Sequence, residues 1–313
     1  MTDADTQRIS PVEGAPADVT DAGRAGRGRP APDPASPFFR SGGRNRFTAR
    51  RAQVVSVEQV APAMLRVRVT GPDFADFVSG GPADHVRVFF PDPVTGELVA
   101  PTAVGPGEDG IVRPEGPVHA RDFTPLRLVR LGDGKAVDVD FYLHPSPGPA
   151  AVWAAAARVG DELVLVGPRG SKGAPQGAAR LVLVCDETAL PSATRWASEV
   201  PATTSVDLLA ITADEGAWVG EYIAETSGRD DVRIHLLAAG SDDETLIELF
   251  DRVGADSSTF VFAAGEASAL VALRRHLRRT LGLSAEQVAM SGYWKRGTAG
   301  FDHHAPIDPG DPD

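Results

Sequence analysis

At 313 residues with 42% hydrophobic content, the chain has length for about two domains and enough apolar residues to give each a core. Its formal net charge of −12 excludes a general nucleic-acid binder, because affinity for a phosphate backbone comes from Lys and Arg neutralising it. The one cysteine, Cys185, excludes an internal disulfide and points to a reducing compartment.

From Met1 to Gly43 the sequence is rich in Ala, Pro, Gly, Asp and Arg without an apolar period, which predicts a disordered tail over residues 1–43. That tail lacks the apolar core of a secretory signal, and nowhere is there a run of about 18 apolar residues to span a bilayer. A cytoplasmic protein without membrane contact, acting as a monomer, is expected. Ala63–Thr70, Asp84–Pro91 and Ala136–Phe141 alternate apolar with polar residues, as half-buried antiparallel strands do, and predict a small barrel over residues 44–172.

After Arg180 the pattern changes to continuous apolar runs, Leu181–Cys185, Ser205–Ile211, Val232–Leu237 and Thr259–Ala263. They predict a parallel sheet covered by helices on both faces over residues 180–300. Cys185 falls in the first run and reads as a buried, inert thiol. Glu266–Leu281 reads as an amphipathic helix, with Leu270, Leu273 and Leu277 on one side and Arg274, Arg275, Arg278 and Arg279 as a solvated face. Residues 301–313 are a second polar tail. Its adjacent His303 and His304 close no coordination sphere by themselves, so no metal site is expected.

The chemistry-bearing stretch is Arg121-Asp122-Phe123-Thr124-Pro125. On a strand, Arg121 and Phe123 share one face. The guanidinium can hold a pyrophosphate bidentately, the ring can stack on an isoalloxazine, and the Thr124 hydroxyl can reach the redox-active N5 edge of a flavin. Phe141–His144 reads as a strand end. Gly148-Pro149-Ala150-Ala151-Val152-Trp153-Ala154 then opens a helix whose free N–H groups suit a pyrophosphate, before a strand over Asp161–Val166. On residues alone, such a strand is more often ordinary surface and core, and the segments after it a plain β-α-β connection.

The order of these segments resembles the siderophore-interacting protein family, flavin-dependent ferric-siderophore reductases of the ferredoxin-NADP reductase superfamily. Four further stretches carry the resemblance: Asp84–Pro91; Arg113-Pro114-Glu115-Gly116, with Arg113 where the family has Trp; Val184–Pro191; and Ala264–Ala267 followed by Ser291–Lys295. It spans about Arg44 to Gly297. It implies an antiparallel FAD-binding barrel followed by a parallel-sheet NAD(P)H-binding domain. Arg121, Phe123, Thr124, His144, Gly148, Ala150, Ala151 and Trp153 are the implied flavin contacts, with Thr124 the catalytic contact to the flavin edge. Asp186, Glu187, Thr188, Gly265 and Glu266 belong to the nicotinamide side, beyond the carboxyl ends of the strands. Arg87 and Lys295 match basic positions of the family's substrate cleft, with Arg296 beside them, and Trp294 reads as a packing residue.

The implied reaction is hydride transfer from NAD(P)H to FAD, then single-electron transfer to a ferric siderophore or other ferric chelate. FAD rather than FMN is expected, because Arg121 and the helix opening at Gly148 offer more phosphate-binding capacity than one phosphate needs. Two departures from the family pattern stand out. Phe123 replaces the usual Tyr, and Ala151 replaces Ser, removing one hydrogen bond worth about 1 kcal/mol. The acidic segment Thr212–Gly216 tilts the donor toward NADH. Two other functions remain open on sequence: a flavin oxidoreductase with another acceptor, and a flavin- or siderophore-binding protein without turnover.

Overall fold

The structure is a computed structural model that describes residues 33–144 and 147–311. The two predicted sheets are both present. The first is antiparallel and seven-stranded, in the order His119–Phe123, Val86–Phe90, Glu162–Val166, Ala49–Ala61, Met64–Thr70, Gly134–Tyr142 and Pro125–Leu131. Its two edge strands, His119–Phe123 and Pro125–Leu131, are separated in the chain by Thr124 alone. The sheet therefore rolls until its edges meet at that residue, which makes Thr124 the seam of the barrel. Val54, Val67, Val69, Val86, Val88, Val137, Val139 and Phe141 turn inward to form its core, as the period-two alternation predicts.

The second sheet is parallel, in the order Arg233–Ala238, Ser205–Thr212, Arg180–Asp186, Thr259–Glu266 and Val288–Trp294. Its first strand in the chain is central, and the order reverses between Arg180–Asp186 and Thr259–Glu266. In such sheets that reversal opens the ligand crevice at the carboxyl ends. Period two again explains the packing. Leu181, Leu183 and Cys185 face one layer with Leu190, Trp196, Tyr222 and Ile223 from helices Leu190–Glu199 and Val219–Ser227. Val182 and Val184 face the other layer with Leu246, Phe250, Leu270, Leu273 and Leu277. Cys185 is buried as expected, and burial pushes its thiol well up.

Three expectations are corrected. Residues 1–32 lie outside the described residues, but 33–43 are packed against the fold. Phe38 lies against the core, the Arg40 guanidinium sits 4.7 Å over the Trp196 ring, and Gly42–Arg44 pairs with Gly170–Lys172. The helix expected from Glu266 starts at Leu270, because Glu266 still belongs to the strand; it runs to Arg275 and widens into a π turn over His276–Thr280. Its arginines are not a plain solvated face. Arg275 holds Asp308 at 2.6 Å, Arg279 holds Asp311 at 3.0 Å, and Arg274 is itself buried. They clamp 301–311, the part of the polar tail that is described, onto the second sheet, where Ile307 joins the core.

Polar groups buried between the sheets fix one against the other. Arg66 makes a two-pronged ion pair with Asp140, both bonds at 2.8 Å, within the first sheet. From the second, Tyr222 donates to the same carboxylate at 2.7 Å, and Thr226 accepts from Arg66 at 3.1 Å. Arg195 reaches the other way, donating to Ser79 Oγ at 2.8 Å, Ser79 O at 3.1 Å and Pro125 O at 3.0 Å. In Asp140→Ala a buried guanidinium loses its partner, and we expect a loss of about 3–5 kcal/mol. Tyr222→Phe removes one hydrogen bond to a charged acceptor and should cost about 1.5–3 kcal/mol. Denaturant unfolding of both variants checks the order; an unchanged stability in Tyr222→Phe would show that Tyr222 does not share the charge.

Candidate active site

A cavity of about 1090 Å³ opens between the barrel seam and the crevice of the parallel sheet. Its walls bring together Arg121, Phe123, Thr124, His144, Gly148, Ala150 and Ala151 from the first half with Asp186, Glu187, Thr188 and Glu266 from the second. Residues 35 to 145 positions apart thus meet in one space. Arg296 also lines it, whereas Arg87, Trp153, Gly265 and Lys295 are not on its wall.

On the barrel side, strand pleating puts Arg121 and Phe123 together as predicted. Arg121 is exposed and donates to Ala120 O at 2.8 Å, leaving most of its donor fork available. Phe123 is half-buried, its ring 4.4 Å from Phe141 and 6.0 Å from Phe90. Trp153 packs into this aromatic group, 5.1 Å from Phe90 and 5.7 Å from Phe141, and so supports the strand from behind. The helix Pro149–Ala156 begins at Gly148 without a side-chain cap, so its first N–H groups remain for an anion at the cavity wall. His144 Nε2 lies 3.4 Å from Gly148 N at this entry. An exposed guanidinium and an uncapped helix start on one wall fit a pyrophosphate, and the half-buried aromatic strand beside them fits a flat ring.

On the other side, Asp186 organises the strand ends. Its carboxylate accepts from Thr188 N at 2.9 Å, Glu266 N at 2.9 Å and Trp294 Nε1 at 2.7 Å. Gly265 has a backbone that only glycine adopts readily, φ +143°, and a Cβ there would lie 2.6 Å from Asp186 Oδ2. Gly265 therefore acts by letting the two strand ends close up. Burial pushes Asp186 above the usual carboxylate range, against the hydrogen bonds from Thr188 and Trp294. Glu187 accepts from Tyr142 Oη at 3.1 Å and from Ala213 N at 2.6 Å, which ties the barrel to the crevice. Leu237–Asp243 extend the cavity beyond it.

Sequence reasoning missed several wall residues. Tyr293 faces Ser192 and Thr124 at the seam, and burial pushes its phenol up to about 12 against the pull of those hydroxyls. Trp294, expected to be packing, is 37% exposed and lines the cavity. Arg87 is held in a two-pronged pair by Asp122, at 3.0 and 2.7 Å. His85, His303 and His304 gather at the same wall. The histidine pair in the tail was visible in the sequence, but its third member comes from 218 positions away.

Residues 53–172 match the siderophore-interacting FAD-binding domain, and residues 178–297 match the siderophore-interacting protein family. Among relatives, an NADPH-dependent ferric-chelate reductase of Escherichia coli is 37% identical over 153 residues, 49% of this chain and 57% of that protein, so the match spans little more than half of it. Ferric vibriobactin reductase ViuB of Vibrio cholerae is 26% identical over 80% of this chain and 91% of its own length. Among solved structures, a siderophore utilization protein from T. fusca superposes with a TM-score of 0.71 at 33% identity, covering 85% of this chain and 100% of that one.

The Asp186 network makes a prediction about pH. Because its folded-state affinity for a proton is raised, the stability this group contributes is present at low pH and is lost as pH rises through the folded value. Trp294→Phe deletes a hydrogen bond that opposes burial, so Asp186 should titrate higher still. Infrared titration of the carboxyl band, identified by its loss in Asp186→Asn, measures this; an unchanged or lowered titration would refute the assigned role of the indole.

Proposed function

Since this chain belongs to the siderophore-interacting protein family, we propose that it is an FAD-dependent ferric-siderophore reductase that draws electrons from NAD(P)H and releases iron as Fe(II). The observation that carries this reading is the shared cavity, with Arg121 to Thr124 and the helix start at Gly148 on one wall and Asp186 to Thr188 with Glu266 on the other. FAD bound between them supplies the conversion of a two-electron hydride into single electrons. One NAD(P)H therefore reduces two ferric ions.

The residues have separate tasks in this reading. Arg121 and the N–H groups of Ala150 and Ala151 hold the pyrophosphate, with His144 at the entry. Ala151 brings no hydroxyl, so that grip rests on backbone and guanidinium. Phe123 supports the ring, and the Thr124 hydroxyl, facing a Tyr293 that stays protonated at neutral pH, supplies a dipole at its edge. Asp186, Glu187, Thr188 and Glu266 frame the nicotinamide, and Trp294 closes the wall beside it. Ferric iron bound by hard oxygen donors loses affinity for them on becoming ferrous, so reduction releases it.

Arg296 on the cavity wall and Arg87 and Lys295 near it are the proposed cations for an anionic chelate. They act despite the overall negative charge because a cleft focuses local potential. A reaction that consumes NAD(P)H belongs where that donor is made, the cytoplasm, and no helix among the described residues is long and apolar enough to cross a membrane.

Anaerobic addition of NADH or NADPH should bleach the flavin, and ferric siderophores should restore its colour with two ferric ions consumed per NAD(P)H. A flavin that bleaches but is reoxidised by no ferric chelate would exclude this acceptor. Arg121→Ala removes charge-assisted bonds worth about 1.5–3 kcal/mol, which corresponds to FAD binding weaker by roughly 10- to 150-fold. Equilibrium titration with FAD checks it; unchanged affinity would mean that the pyrophosphate lies elsewhere.

A further inference from the structure

At the cavity wall beside Thr124, the rings of His85, His303 and His304 converge, and one nitrogen from each lies within 4.8 Å of the others. His303 Nε2 and His85 Nε2 are 3.2 Å apart. Two nitrogens bound to one tetrahedral metal at about 2.0–2.1 Å lie about 3.3–3.4 Å from each other, so this spacing already matches a coordination edge. The ring centroids of His303 and His304 are 4.0 Å apart, which brings the third imidazole alongside.

The surroundings prepare the site. His303 Nδ1 lies 3.2 Å from Asp122 Oδ2. A carboxylate only accepts, so Nδ1 donates to it, and the neutral tautomer that does so offers its lone pair at Nε2, the atom facing His85. This is the carboxylate–histidine arrangement that orients metal-binding imidazoles. Asp122 is itself fixed by its two bonds from Arg87. The tail that delivers two of the three rings is anchored by Arg275 on buried Asp308, so their position is built into the fold.

We propose that His85, His303 and His304 bind a divalent first-row transition ion, and that in the reaction this ion is the ferrous iron produced in the adjoining cavity. The second half of this statement rests on the reductase reading above; the first does not. Imidazole suits Fe(II), Co(II) and Zn(II), whereas the oxygen donors of a ferric chelate suit the oxidised ion. The step balances without a further reagent. The ferric ion takes one electron that originated in NAD(P)H, its bonds to chelate oxygens break, bonds to imidazole nitrogen form, and the freed donors take protons from water. Iron thus leaves the chelate by ligand exchange toward the protein.

Co(II) is the probe, added to the full chain loaded with FAD. We expect one saturable Co(II) per chain with a visible band, beyond the flavin absorption, typical of nitrogen ligation. His85→Ala and His304→Ala, checked for unchanged flavin content, should each weaken binding by at least about tenfold. Absence of saturable binding, or binding that neither variant affects, overturns the site. For the ferrous assignment, anaerobic stopped-flow compares flavin reoxidation by a ferric siderophore with capture of Fe(II) by a coloured ferrous chelator. Capture should lag reoxidation in the wild type, and the lag should shorten in His304→Ala. Simultaneous appearance in the wild type overturns the ferrous role while leaving a Co(II) site standing. If no ferric chelate reoxidises the flavin, the reductase reading fails and the ferrous role with it, again independently of the Co(II) result.

Discussion

Arg195 constrains the whole active region, because this buried guanidinium from the second sheet's helix is satisfied by backbone and side-chain oxygens of the barrel. Its Nε and Nη2 also donate to Glu199 of the same helix, at 3.0 and 2.8 Å, so its charge is met within the helix while its bonds to Ser79 and Pro125 O tie that helix to the barrel. Each such bond lost from a buried oxygen costs about 1–3 kcal/mol. Pro125 directly follows Thr124. Clamping Pro125 therefore sets the seam of the barrel against Ser192 and Tyr293, which come from the same half of the molecule as Arg195 itself. On the far side, the Arg66–Asp140–Tyr222 group pins the sheets a second time. Two pins at separate points suppress rotation as well as translation, which a hydrophobic contact alone would permit.

In the proposed reaction, electron transfer from a nicotinamide to a flavin needs both rings in a fixed relation, and the cavity that would take them is shared between the two sheets. The two pins turn that requirement into a property of the protein before any ligand arrives. The Glu187–Tyr142 bond adds a link at the cavity floor itself. Asp186 shows the same economy from the other direction, since one buried carboxylate gathers Thr188, Glu266 and Trp294 from three segments. Its raised proton affinity is the consequence of being buried to do so.

Much of this was legible in the sequence. Period-two alternation in Met64–Thr70 and Gly134–Tyr142 identified an antiparallel sheet, and unbroken apolar runs such as Leu181–Cys185 identified a parallel one, because each pattern reports whether one or both faces are covered. Arg121, Phe123 and Thr124 were found because their functions lie on consecutive positions of one strand. Arg195, Asp140 and Tyr222 were not, since hydrogen bonds that span 70 to 82 positions leave no local period. Gly265 was singled out, and its structural demand explains it: Asp186 Oδ2 lies where a Cβ would stand.

The two ends of the described chain misled sequence reasoning for one shared reason. Segments poor in apolar residues look unable to support their own ordering, and by themselves they are. Residues 33–43 and 301–311 are ordered instead by groups the core supplies: the Trp196 ring under Arg40, the backbone of Gly170–Lys172, and the arginines after Leu270. Those arginines looked like solvated surface because their partners, Asp308 and Asp311, lie over 30 positions away in a segment read as free tail. Once that segment is anchored, His303 and His304 stop being an exposed pair and become part of the cavity wall next to His85 and Asp122. A chain of net charge −12 thereby builds imidazole nitrogens into the wall of a cavity that also carries Arg121 and Arg296. Local composition at the cavity, set by long-range ion pairs, differs from the composition of the chain, and it is the local set that a charged chelate or a metal ion encounters.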